Sequence, residues 1–341
     1  MHAVGYGQPL PVEDPRSLVD IELPRPVPLE RDLLVRVSAV AVNPVDTKVR
    51  RRDGAAPGGW KVLGWDAVGV VEAVGARVSR FRPGDRVWYA GALDRDGCNA
   101  EWHRVDERLV AVAPTCLDDG QAAALPLTAI TAWELLFDRL RLEPDPALGR
   151  GDHVLVVGAA GGVGSIAIQL LRQLTGRTVI ATASRPESQA WVRDLGAHHV
   201  IDHHQPLRPQ LEALGFDAVQ HVVSLTHTDR HFPALADLLA PQGALALIDD
   251  PDPAAIDLRL LKKKSLSLHW EFMFTRSLFQ TADMDRQGAL LERLAQLVLE
   301  GRIRSTLAQR LGPIDALHLR RAHALVESHT SIGKVVLEKF R

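Results

Sequence analysis

VLVVGAAGGVGSIAIQLLRQL, residues 154–174, decides how the rest of the chain is read. Four apolar residues, Val154 to Val157, run into Gly158, Gly161, Gly162 and Gly164. Beyond them Val163, Ile166, Ala167, Leu170, Leu171 and Leu174 recur at the spacing of a buried helix stripe. The order is strand, glycine turn, helix. Without Cβ atoms in the way, such a turn lets the backbone approach a phosphate, and the first helical N–H groups and the positive end of the helix dipole favour a pyrophosphate. Gly158, Ala160, Gly161, Gly162, Val163 and Gly164 are the candidate cradle. Their spacing is G-x-x-G-G-x-G rather than the G-x-G-x-x-G fingerprint, so a glycine turn without a ligand is the competing reading. The uncharged run from Val154 to Leu171 is long enough to span a membrane. Its four glycines, Ser165 and Gln169, with Asp152 and Arg172 at the ends, argue against that.

In a dinucleotide-binding unit the next strand ends in an acid that grips the ribose 2′-OH. Here that strand reads Arg177 to Ala183 and ends in Ser184-Arg185, with no carboxylate. A hydroxyl and a guanidinium suit a 2′-phosphate, so the expected cofactor is NADPH. The plainer account is that Arg185 only starts a helix beside Pro186.

The 341 residues are 46% hydrophobic and 24% charged, an ordinary globular composition of about two domains' length. Forty Lys and Arg against 42 Asp and Glu leave a net charge of −2, which recommends neither nucleic acid nor an anionic membrane as partner. Cys98 and Cys116 stand far apart, which excludes a disulfide scaffold and predicts a reducing, cytoplasmic setting. The first residues lack the apolar core of a signal peptide.

The first third reads as β-rich, with strands over 33–42 and 68–74 and a turn at Pro83-Gly84-Asp85. Residues 117–142 read as helices. From Gly151 strands and helices alternate: strands at 178–183, 200–201, 217–224, 244–248 and 265–274, helices at 186–195 and 229–240. That alternation predicts an α/β, doubly wound parallel sheet. Ligands sit beyond the carboxyl ends of such strands, which brings Leu225, Thr226, Ile248 and Asp249 toward the nicotinamide half.

The chain resembles the medium-chain dehydrogenase/reductase superfamily, nearest the zinc-free quinone oxidoreductases and the proteins labelled zinc-type alcohol dehydrogenase-like. The resemblance rests on Asn43-Pro44-Val45-Asp46, Gly64-Trp65-Asp66, Gly69-Val70-Val71, Pro83 to Val87, Leu127-Thr128-Ala129, Ala159 to Gly164 and Gly333 to Leu337, in that order. It implies a GroES-like β-rich catalytic domain over 1–125, completed by 305–341. It also implies a Rossmann NADPH-binding domain over 126–304, and a homodimer.

Zinc members take a catalytic zinc from cysteine and histidine. Val45-Asp46 stands where the first cysteine is sought and Trp65 replaces the histidine, so no metal is expected. His198-His199 and His203-His204 read as a solvated stretch rather than a metal site, although Asp202 or His203 could touch the adenine. Lys262 to Lys264 read as a solvated run. Without a Lewis acid the natural acceptor is a quinone or an α,β-unsaturated carbonyl, because hydride addition leaves a delocalised anion that water protonates. The expected catalytic residues are Asn43, Asp46 and Asp66. Asn43, Thr128 and Lys334 join the cradle residues, Ser184 and Arg185 around the cofactor, and Trp65, Trp88 and Tyr89 wall the pocket. The competing accounts are local: Asp46 caps a helix, Asp66 satisfies backbone, and the aromatics are core. Two rival functions stand beside the reductase, a zinc-type alcohol dehydrogenase and a non-catalytic NADPH-binding sensor or structural protein.

Overall fold

The computed structural model describes residues 1–340, which divide into two compact units, 1–130 with 274–340 and 131–273.

Unit 1 starts with β1 (His2–Tyr6) and β2 (Val19–Glu22), antiparallel partners. β3 (Asp32–Val42) follows and buries nearly every residue. Asn43 then turns the chain into α1 (Pro44–Arg52), with Pro44 in the first turn, where its missing N–H costs nothing. Next come β4 (Lys61–Val62), β5 (Ala67–Val74), β6 (Arg86–Tyr89), β7 (Trp102–Asp106) and β8 (Val110–Val112). Two short helices close this part, α2 (Asp119–Ala123), capped by Asp118, and α3 (Pro126–Trp133).

Past α3 the chain widens into a π-helical turn, Glu134–Arg139, in which Leu140 N donates to Leu135 O, five residues back. Unit 2 is built on β9 (His153–Val157), α4 (Gly162–Leu174), β10 (Thr178–Thr182), α5 (Pro186–Asp194), β11 (His199–Ile201), α6 (Leu207–Ala213), β12 (Val219–Ser224), α7 (Thr228–Leu238), β13 (Leu239–Leu247) and β14 (Ser267–Trp270). The six strands are parallel in the order β11-β10-β9-β12-β13-β14. Counted within the unit this is 3-2-1-4-5-6, the doubly wound order whose switch point lies between its first and fourth strands. Leu155, Val157, Ile180, Val222 and Leu245 form its core with Phe232, Leu235 and Leu238 of α7.

The chain then returns to unit 1 through α8 (Thr275–Leu278), α9 (Arg286–Leu299), β15 (Leu307–Arg310), α10 (Ala316–Glu327) and β16 (Lys334–Glu338). β16 pairs with β3, giving a seven-stranded sheet ordered β15-β16-β3-β5-β6-β8, with β7 on β3.

The doubly wound prediction holds, and three expectations change. Residues 274–304, read from sequence as the end of the Rossmann domain, belong to unit 1, because α9 packs on β8 and the turn at 107–109. An amphipathic helix carries no mark of which sheet it covers. The strand expected over 265–274 spans only Ser267–Trp270, because Leu258–Lys264 winds as a 3-10 helix and α8 begins at Thr275. Lys264, read as part of a solvated run, is half-buried and tied down: its Nζ donates to the carbonyls of Ala236, Asp237 and Leu239 and closes the C-terminal end of α7.

Candidate functional site

In unit 2 the glycine turn is set between β9 and α4. Gly158 has φ +75°, and a Cβ there would stand 2.8 Å from Thr226 Cγ2. At Gly164 a Cβ would stand 2.5 Å from the carbonyl oxygen of Ala159, so only glycine lets the helix start this close to the turn. Gly161 differs, since the nearest atom to its Cβ would be Gly158 O at 3.6 Å. The first hydrogen bond of the α4 ladder runs from Ser165 N to Gly161 O. The amides of Gly162, Val163 and Gly164 therefore lie ahead of that ladder, at the positive end of the helix dipole. A cradle that side chains would fill, followed by a first turn of outward amides, fits a dinucleotide pyrophosphate.

The carboxyl ends of β10 and β12 flank this turn. Beyond β10 come Ser184, half-buried, and Arg185, exposed, the N-cap of α5. No carboxylate occupies the position. Beyond β12, Leu225 N donates to Val157 O, and Thr226 Oγ1 bonds His227 Nδ1. Asp249, beyond β13, is already engaged: its two oxygens take the N–H and hydroxyl of Thr228 at 2.9 and 2.6 Å and cap α7. Ile248 beside it is half-buried.

In unit 1 the sequence-predicted residues Asn43, Asp46, Asp66 and Lys334 come together, all buried. Lys334 Nζ donates to Val42 O (3.1 Å), Asp66 Oδ2 (2.9 Å) and the side-chain oxygen of Asn43. Asn43 Nδ2 donates to Asp66 Oδ2 (2.9 Å), and Leu127 N, at the start of α3, donates to Asp66 Oδ1 (2.7 Å). Asp46 Oδ2 accepts Asn43 N at 2.8 Å in the first turn of α1. Burial pushes the Asp46 carboxyl up to about 7, against the Asn43 amide and the Lys334 charge, and pushes Asp66 up as well. Three donors of the ammonium meet three acceptors, so Lys334 orients Asn43 and pins β16 to β3.

Other expected site residues lie elsewhere. Thr128 is buried and donates to Leu125 O within its own helix turn. Trp65, Trp88 and Tyr89 are core rather than pocket walls: all are at most 1% exposed, Trp65 Nε1 donates to Ala92 O and Tyr89 stacks on His103. Three aromatics in β-rich sequence read alike whether they face a pocket or a core. His203 is half-buried with its ring against His204 and His231, while His198 Nδ1 accepts Val179 N. A pair that sequence reading misses is Glu134 with Glu271, because 137 residues separate two glutamates that no motif marks.

A parallel sheet with a glycine cradle at its switch point has the architecture of a dinucleotide-binding fold. An alcohol dehydrogenase GroES-like domain matches residues 30–116, and a zinc-binding dehydrogenase domain matches 195–337. A zinc-type alcohol dehydrogenase-like protein of Staphylococcus aureus (strain MSSA476) is 37% identical over 342 residues, covering 99% of both chains. A quinone oxidoreductase of Pseudomonas aeruginosa is 33% identical over 316 residues, 91% of this chain and 92% of its own. The crystal structure of a Rhizobium etli CFN 42 protein, provisionally described as a zinc-dependent alcohol dehydrogenase, superposes with a TM-score of 0.95 at 57% identity, covering 100% of this chain and 98% of that one. Two further neighbours of the same fold were solved with NADPH bound. The chain belongs to the medium-chain dehydrogenase/reductase superfamily.

The zinc in these names finds no matching donors. An indole at Trp65 is no ligand, the Asp46 carboxylate is held by the Asn43 amide, and the carboxylate of Asp66 is paired with an ammonium. Burial beside two carboxylates keeps the Cys98 thiol protonated, and its Sγ donates to Asp66 O. Both ring nitrogens of His103 are bonded, to Tyr89 and Asp96. Among the described residues no three His, Cys, Asp or Glu side chains converge on a metal position. No described helix is long and apolar enough to cross a membrane.

Proposed function

We propose that this protein is an NADPH-dependent reductase of quinones or α,β-unsaturated carbonyls that works without metal. The observation that carries the reading is the charge arrangement in unit 1, where Lys334 neutralises the buried carboxylate that a divalent ion would otherwise seek. Bound at the glycine turn, NADPH supplies the hydride. The first turn of α4 holds the pyrophosphate, and Ser184 and Arg185 hold the 2′-phosphate through charge-assisted hydrogen bonds. Arg185 is an exposed cation at the N-cap of α5. Asn43, locked by Lys334 and Asp66, is a rigid element of unit 1 rather than a proton donor. Asp66 takes the same supporting role, and Asp46 is the remaining candidate for holding a proton near neutral pH. A quinone or enone suits this site because hydride addition leaves a delocalised anion, which needs orientation more than a Lewis acid.

The test is a steady-state screen with NADPH and NADH against quinones, enones and simple aldehydes. Turnover of quinone or enone with NADPH alone supports the reading, and turnover of simple alcohols with NAD overturns it. The names of the relatives favour zinc-type alcohol dehydrogenase as the second reading, and stoichiometric zinc whose removal abolishes activity would establish it. We further propose a homodimer formed along β14, the edge of the parallel sheet, where Trp270 (54% exposed) and Phe272 (46%) stand unburied. Light scattering reads its mass directly.

A further inference from the structure

In unit 2 the pairing of β9 with β10 ends at Val156 opposite Ala181, before the chain reaches the glycine turn on one side and Ser184-Arg185 on the other. Beyond that point two side-chain contacts carry the connection. Gly158 N donates to Oγ1 of Thr182, buried at the end of β10, at 3.2 Å. On the far side of Ser184-Arg185, Trp191 of α5 donates from its indole Nε1 to Ser165 Oγ at 2.8 Å. Ser165, buried near the start of α4, donates in turn to the carbonyl of Ala160 inside the glycine turn at 3.4 Å. A serine hydroxyl has one proton to give and lone pairs to accept with, so it serves both bonds at once.

The α5 side is held as firmly. Ser188 Oγ accepts Arg185 N at 3.2 Å and donates to Arg185 O at 2.9 Å, and Gln189 Nε2 donates to Ala183 O at 3.2 Å. Trp191 stands less than two helical turns from Arg185, so a shift of its indole is carried to the helix N-terminus. The segment 182–191 is thus tied to the glycine turn at both ends, and it bears the two residues assigned above to the 2′-phosphate.

We propose that Trp191, Ser165 and Thr182 form a brace that fixes the separation between the glycine turn and Ser184-Arg185, and that this brace sets the preference for NADPH over NADH. The role is one of positioning, and it rests on the NADPH reading above. The pyrophosphate is common to both cofactors and needs the turn alone. Only the phosphorylated ribose needs turn and arm held at one spacing before it arrives, which is where preorganisation adds affinity. The plainer account is that these groups satisfy buried polar atoms, and it predicts a loss of stability with no change in selectivity.

The test is calorimetric titration of the full-length protein with NADPH and with NADH. Trp191→Phe keeps an apolar ring and removes the donor; Thr182→Val removes the hydroxyl, and Thr182→Ser restores it. Trp191→Phe and Thr182→Val should each lower the preference for NADPH about 2- to 10-fold, the range of one hydrogen bond, and Thr182→Ser should recover it. In an Arg185→Ala background Trp191→Phe should change the preference no further, because the brace acts through that guanidinium. Equal losses for the two cofactors, or an undiminished effect in the Arg185→Ala background, overturns the proposal, and either brace variant suffices if the other fails to fold. An Arg185→Ala protein that keeps the wild-type preference overturns the 2′-phosphate reading instead. The tie itself is then read without cofactor, from the Trp191 indole proton in a proton–nitrogen correlation spectrum. Protection from exchange that Ser165→Ala abolishes supports it, and an indole proton that exchanges freely in the wild type overturns it.

Discussion

The glycine turn of unit 2 and the polar cluster of unit 1 are both short motifs of small or polar residues at strand-to-helix junctions, yet they finish differently. At the turn, Gly158 and Gly164 are packed against Thr226 and Ala159, while the amides of Gly162 to Gly164 precede the helix ladder. In the cluster, Lys334, Asn43 and Asp66 bond one another, with Val42, Ala41 and Leu127 completing the set. One motif is left for a ligand to complete; the other completes itself. A conspicuous polar motif is thus not by itself evidence of catalysis, and the discriminating quantity is whether its hydrogen-bonding groups are used internally.

Breaking the closed cluster should have the largest effect. Lys334→Met removes the counter-ion of a carboxylate that is 0% exposed, and such an uncompensated buried charge costs about 3–5 kcal/mol. A denaturant melt should show the loss, and a variant as stable as wild type would mean that the pair contributes nothing to the fold. Within the turn the two kinds of glycine should separate. Gly164→Ala forces a Cβ against backbone and should cost about 1–3 kcal/mol as overpacking does. Gly161→Ala should leave stability within about 0.5 kcal/mol and weaken only NADPH binding, read by calorimetry. Equal stability losses in the two variants would contradict the distinction.

Arg185→Ala sharpens the comparison on the ligand side. Losing a charge-assisted contact of about 1.5–3 kcal/mol should raise the Kd for NADPH roughly 10- to 100-fold and leave NADH unchanged. The last test is a pH dependence. The Asp46 carboxyl is raised from 3.8 to about 7 by burial, so between those values the folded protein binds a proton that the unfolded chain has lost. Stability from this group is complete below about 3.8 and is lost as pH rises through about 7. Asp46→Asn should flatten that part of a melting-temperature profile, and an unchanged slope would assign the titration elsewhere.

Local features carried most of the fold. The period change at Gly158, the alternation over 33–42 and the βα rhythm after Gly151 are each visible within about a dozen residues, and each corresponds to an element of the structure. What escaped depends on distant partners. The amphipathic stripe of α9 would suit either unit, and only its packing on β8 decides. The stretch 265–274 is rich in apolar and aromatic residues, but only Ser267–Trp270 finds a strand to pair with. Of the candidate site, the glycine turn was legible because close backbone approach at Gly158 and Gly164 demands glycine. The locking of Asn43 and Asp66 was not, because Lys334 reaches them from 291 and 268 residues away. Asp249 likewise shows nothing in sequence of its bonds to Thr228.

The central claim is that hydride reaches an activated acceptor here without metal, and it is tested most directly by NADPH oxidation with a quinone before and after exhaustive chelation. The account predicts a rate that chelation leaves unchanged and that added zinc does not raise. A rate that vanishes with the metal and returns with one equivalent of zinc would contradict it.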